Sequence, residues 1–153
     1  MLKSTVESEV RELARSRLIA KKIGLLSDEE IQSWADDQIR VHTEPPLFLF
    51  SIATGDESEL NFADRLDLVR DKPRDEDFAL IAAEILERLD NGKLDFDQLE
   101  SIALDCERLL DQESSCWARF SWISDELYLV REGVKDRDSS HADVRSELRK
   151  MTL

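Results

Sequence analysis

An all-α fold, a single-domain irregular helical bundle of about six to eight helices, is predicted by three features of this sequence. Glycine and proline are scarce, with 4 and 3 copies in 153 residues, too few for a chain of many short strands joined by tight turns. Leucine, glutamate, arginine and alanine, all good helix formers, are abundant. Apolar residues recur at intervals of three and four along most of the chain. A chain of this length buries about two-thirds of its unfolded surface, so it needs no disulfide or metal to fold.

The elements follow in order. Ser4 and Glu7 have capping-box spacing, and Val6, Val10, Leu13, Ala14, Arg17 and Leu18 continue at helical intervals to Gly24, a natural stop. Ser27 and Glu30 repeat the box, and Ile31, Trp34, Ala35 and Ile39 stripe a second helix that ends before Pro45-Pro46. The most apolar window, PPLFLFSIATG, follows. Pro46 suits a first helical position, so residues 47–53 read as a short buried helix, although their aromatic run also fits a strand. A lone strand would have no partner elsewhere in the chain. Leu60, Ala63, Leu66 and Val69 suggest another short helix before the charged, proline-broken RDKPRDED loop.

Phe78, Ile81, Ala82, Ile85, Leu86 and Leu89 give a broad apolar face that ends at Asn91-Gly92. Phe96, Leu99, Ile102, Ala103, Cys106, Leu109 and Leu110 give the next, and the two helices are expected to form an antiparallel hairpin. Cys116, Phe120, Ile123, Leu127 and Val130 form a further seam with Trp117, Trp122 and Tyr128 outside it, so that helix should bury more than one side. After Gly133, Ser140 and Asp143 mark the start of a final turn or two, with only Val144 and Leu148 as its apolar side. The expected organisation is a helical domain over residues 1–135 and a weakly docked or frayed segment over 136–153.

The net charge of -14 comes from 21 basic and 35 acidic side chains, and it is unevenly placed. Residues 1–23 carry 6 bases and 3 acids, residues 24–130 carry 9 and 27, and residues 131–153 carry 6 and 5. The regional charges are therefore +3, -18 and +1. An acidic body repels nucleic-acid phosphate and anionic membrane and attracts basic surfaces within about 8 Å at physiological salt. Neither a secretory leader nor a membrane span is legible, and the expected location is cytoplasmic.

The stretch ERLDNGKLDFDQLE, residues 87–100, has the spacing of a glycine-centred calcium loop. With Gly92 in the glycine position, however, Leu89 supplies no oxygen, Glu87 replaces the usual Asp, and Gln98 cannot act as a charged bidentate clamp. A helix stop at Gly92 followed by a capping box from Asp95 to Gln98 accounts for the same residues. No paired Glu and ExxH set, no phosphate-binding glycine loop and no nucleophile–base spacing occurs, so neither a catalytic residue, a metal ligand nor a cofactor is assigned.

What remains is aromatic and acidic. Trp and Tyr, together with Arg, anchor interfaces. The expected partner-binding residues are Trp34, Asp36 and Asp37 on the second helix, and Arg119 with Trp122 on the central one. The functional expectation is a non-catalytic protein-binding module, an inhibitor or immunity-type protein masking a basic partner. The alternatives are a homo-oligomeric structural or adaptor domain, whose basic first helix with Arg11, Arg15, Lys21 and Lys22 docks on a neighbour's acidic body, and an enzyme with an unrecognised metal or thiol site.

Overall fold

The computed structural model describes residues 2–69 and 73–152, apart from the side chains of residues 2–5, 57 and 62. Among the described residues the protein is all-helical, with eight α-helices, one 3-10 turn at Glu57–Glu59 and no strand. The helices are α1 (Leu2–Lys22), α2 (Asp28–Val41), α3 (Phe48–Thr54), α4 (Phe62–Leu68), α5 (Asp75–Asp90), α6 (Phe96–Leu109), α7 (Ser115–Arg131) and α8 (Arg137–Met151). Residues 48–54 are thus helix, the assignment favoured from sequence. The chain divides into two compact units, residues 1–70 and 71–153.

In the first unit, α1 packs against α2 and α4, and α3 lies along α2. Helix α1 extends back to Leu2, and the cap expected at Ser4 rests on a side chain outside those described. Ser27 caps α2 as its spacing predicts: the Glu30 amide donates to Ser27 Oγ, and the Ser27 amide donates to the Glu30 carboxylate, both at 3.2 Å. Ala14, Ile23, Ala35, Phe48, Leu49 and Leu68 fill the core. The 7-residue α4 is too short to be stable alone. It is tied to α1 by two forked guanidinium groups, Arg11 to Asp64 at 2.6 Å and Asp67 at 3.3 Å, and Arg15 to Asp67 at 3.3 Å. Arg11 also lies 4.8 Å from the centre of the Phe48 ring, so one side chain meets both α3 and α4.

In the second unit, α7 packs against both α6 and α8, so it buries more than one side as expected, but through Ser124 and Glu126; the off-seam Trp122 and Tyr128 stay exposed. Phe78 and Phe120 meet edge to face in the core, with ring centres 5.6 Å apart. The Asn91-Gly92 stop forms as expected: Gly92 has φ +77°, the Asn91 amide donates to the Glu87 carbonyl and the Leu94 amide to the Arg88 carbonyl. Asp95 accepts from the Gln98 amide at 2.7 Å, while the Asp95 amide donates to the Gln98 side chain at 3.0 Å. Asp95 and Gln98, two of the side chains that a calcium loop would use, are thus engaged in a backbone cap. The expected close hairpin of α5 and α6 does not form in that way, because α6 lies along α7 and α5 along α8. A stop and a cap set where two helices end and begin, but buried apolar faces choose their neighbours.

The tail departs furthest from expectation. Helix α8 is capped by Asp136, whose side chain accepts from the Ser139 amide, and not by Ser140. It runs for 15 residues with Val144 and Leu148 fully buried. Ser140 is itself buried and donates to Glu126 on α7 at 2.9 Å, and Glu126 also pairs with Lys135 at 2.8 Å. Glu126 is 4% exposed. Burial pushes its carboxyl up, but the bonds from Lys135 and Ser140 outweigh that and hold it below the usual glutamate value. Arg119 to Glu147 at 2.7 Å adds a second link between α7 and α8. Sequence spacing could not show these polar ties, and without them two apolar residues looked too few to dock a helix.

Two stability predictions follow from these contacts. Replacing Glu126 with Ala strands the buried Ser140 hydroxyl and should lower unfolding free energy by about 2 kcal/mol in urea titrations. The folded-state value of Glu126 is lowered, so its contribution is present above the unfolded glutamate value and fades as pH falls through the folded one. The difference between wild type and Glu126→Gln should therefore shrink in acid. A Cβ at Gly92 would meet no atom within 4 Å, so Gly92→Ala should cost about 1 kcal/mol by backbone conformation alone.

Candidate partner-binding surfaces

Helix α2 leads to the first surface. Trp34, Asp37 and Val41 follow at intervals of three and four and so share one face. Trp34 is half-buried beneath Arg17, whose guanidinium carbon is 5.8 Å from the ring centre. Asp37 is exposed and meets the exposed Arg40 at 3.6 Å, a contact worth little in water. Asp36 is also exposed, one residue off that face.

The stripe ends at a cleft. Val6 and Glu7 of α1 and the link from His42 to Leu47 line a cavity of about 670 Å³. Leu47 is 81% exposed and Val41 72%. Phe50, one turn beyond Leu47 on α3, is also exposed, whereas Phe48, Leu49 and Ile52 are buried. The apolar window therefore splits by helical phase: three side chains enter the core and two stay outside. Sequence reading took the whole window as core. The signal that could have separated Leu47 and Phe50 was their i, i+3 spacing against the phase of residues 48, 49 and 52. The His42 ring bonds to Gln38 at 3.2 Å along α2.

The second surface is on α7. Trp122 is 37% exposed, with the exposed Asp125 a turn away, and Tyr128 is exposed beyond them. Arg119 is half-buried in its ion pair with Glu147, so its guanidinium is committed to holding α8. The five residues expected at an interface thus lie in two places: Trp34, Asp36 and Asp37 in the first unit, Arg119 and Trp122 in the second.

A smaller, more polar cleft of about 280 Å³ lies where the starts of α6 and α8 meet the end of α7. The Phe96 and His141 rings stack there at 3.6 Å, and Arg131 bonds both oxygens of Glu100 at 3.3 Å. Burial, then neighbouring Arg137, lowers the His141 value. Its lining charges, Arg131 and Arg137 against Asp97 and Glu100, balance.

No family model, curated protein or solved structure matches this chain.

The thiols are poorly placed for nucleophilic chemistry. Burial, then Asp105, raises Cys106 well above its ordinary value, and burial, then Asp75, pushes Cys116 up to about 11. Both remain protonated near neutrality, the reverse of an activated cysteine. Among the described residues, no three His, Cys, Asp or Glu side chains converge as a metal site, and no helix is long and apolar enough to cross a membrane. Iodoacetamide at neutral pH should label both cysteines far more slowly in the native protein than in urea, as mass spectrometry would report; equal rates would contradict the burial argument.

Proposed function

We propose that this chain is a non-catalytic protein-binding module that engages a basic partner, in the manner of an inhibitor or immunity-type protein that masks such a surface. The observation that carries this reading is the uncovered apolar group of Val41, Leu47 and Phe50 beside exposed carboxylates of the same unit. Large apolar side chains left exposed gain free energy when a partner covers them, and of these three Leu47 lines the cleft. The surplus acid supplies attraction during approach and disfavours acidic competitors. Residues 1–70 carry 9 bases and 14 acids, and residues 71–153 carry 12 and 21, so each unit is acidic in its own right.

The ion pairs bear on the homo-oligomer alternative, in which the basic face of α1 meets a neighbour's acid. Arg11 and Arg15 are held by Asp64 and Asp67, and Lys21 reaches Asp28 at 3.0 Å. Only the exposed Lys22, of the four bases that reading names, is outside these pairs. Satisfaction within the chain favours a heterologous basic partner over self-docking.

Immobilised protein in cell extract at about 50 mM salt should retain one or a few basic proteins, released as salt rises to about 500 mM, and each should rebind after purification. Retention of nothing basic, or release indifferent to salt, would contradict the reading.

A further inference from the structure

Helix α8 joins α5 to α7, since each lies along it while they meet each other much less. Its apolar side is small, with Val144, Leu148 and Met151 buried. The rest of its attachment is ionisable. On α7, Glu126 is almost wholly buried and both of its oxygens are engaged, one by the Ser140 hydroxyl at 2.9 Å and the other by Lys135 at 2.8 Å. On α8, Glu147 accepts from Arg119 of α7 at 2.7 Å through one oxygen and from Lys150 at 2.9 Å through the other. Among the charged groups of α5, Glu84 and Arg88 pair at 2.9 Å, and Asp90 meets Arg145 of α8.

The start of α8 adds a third titratable contact. His141 stacks on Phe96 of α6 with ring centres 3.6 Å apart, and the Arg145 guanidinium lies 5.6 Å from the centre of the same Phe96 ring. Arg137 and Arg145 stand four residues before and after His141, so a proton on the imidazole would place a third positive charge on one face of the helix. Asp97 of α6 and Asp138 offset part of that charge, and Arg131 and Glu100, which line the same cleft, pair with each other.

We infer that α8 is an acid-released clasp, which lets go of α5 and α7 as the solution turns acidic and does so before the helices of the first unit open. Protonation acts on these contacts in one direction. A neutral Glu126 loses its ion pair with Lys135, a neutral Glu147 loses those with Arg119 and Lys150, and a charged His141 is repelled by Arg137 and Arg145. Burial, then Arg137, lowers the His141 value from the ordinary 6.5. The Lys150 bond, opposed by burial and aided by Arg119, lowers Glu147 from the ordinary 4.5, and Glu126 lies below that value despite its burial. Because folding lowers all three, each contribution is whole above the ordinary value and is lost as pH falls through the folded one. His141 therefore acts first, below pH 6.5, and the two carboxylates follow below 4.5. The first unit has no counterpart to that early step, since its histidine, His42, bonds to Gln38 within α2 and joins no two helices. The chain as a whole responds in the opposite sense: its net charge of -14 falls toward zero near pH 4.5, which relieves repulsion among surface carboxylates. Once detached, a helix of 15 residues is marginal in water, so release also unravels it.

Hydrogen exchange of the full chain, read by mass spectrometry and corrected for the intrinsic effect of pH, tests the clasp. Between about pH 7 and about pH 4, protection in α8 should fall about ten-fold and α5 should follow, with a smaller change in α1 and α2. His141→Phe keeps a ring against Phe96 but takes up no proton, so it should delay the release to lower pH. Glu126→Gln keeps the shape without the charge, so its α8 should be less protected already at neutral pH and should change less in acid. Should Glu126→Gln fail to fold, His141→Phe decides alone. Unchanged protection of α8 in acid, an equal loss in α1 and α2, or release of His141→Phe at the wild-type pH would overturn the inference.

Discussion

Bases are the scarce charge in this protein, and the way they are used organises both units. A half-buried carboxylate or guanidinium is tolerated only when it is paired, and 21 basic side chains must serve 35 acidic ones. They are placed where the packing needs them. Arg11 and Arg15 attach the short α4 to α1. Arg119 and Lys135 join α7 to the α8 region, and Arg145 joins α8 to Asp90 at the end of α5. Arg131 joins α7 to α6. These ties decide orientation more than they supply energy; the buried apolar faces contribute most of the stability.

The remainder is surface acid. Asp36, Glu76, Glu87, Asp125 and Asp143 are exposed and take part in no ion pair among the described residues. Self-repulsion among such groups opposes compactness without helping the fold. On the proposed reading, the same field would speed approach to a basic surface, and the exposed Leu47, Val41 and Phe50 would supply apolar contact that charge alone cannot.

Much of the architecture was legible from sequence because it rests on local chemistry. Capping boxes at Ser27 and Asp95 and the glycine stop at Gly92 appear where spacing put them, since each involves residues no more than six apart. What was illegible depends on partners distant in sequence. Glu126 meets Ser140 across 14 positions, and Asp64 meets Arg11 across 53. Such contacts turn an unpromising tail into a docked helix and re-pair α5 with α8. The cleft was obscured differently. Three of its residues, Pro45, Pro46 and Leu47, open the most apolar window of the chain, where hydrophobicity argues for burial and only the helical phase reveals that Leu47 and, beyond the cleft, Phe50 face outward.

The central claim is that the folding charges are matched within each unit while the surplus carboxylates only repel one another. Thermal unfolding at neutral pH across sodium chloride from about 20 mM to about 500 mM tests it directly, because exposed like charges are screened far more than half-buried pairs. The midpoint should rise with salt. A midpoint that falls would mean that exposed ion pairs hold the fold together and that the acid is not in surplus.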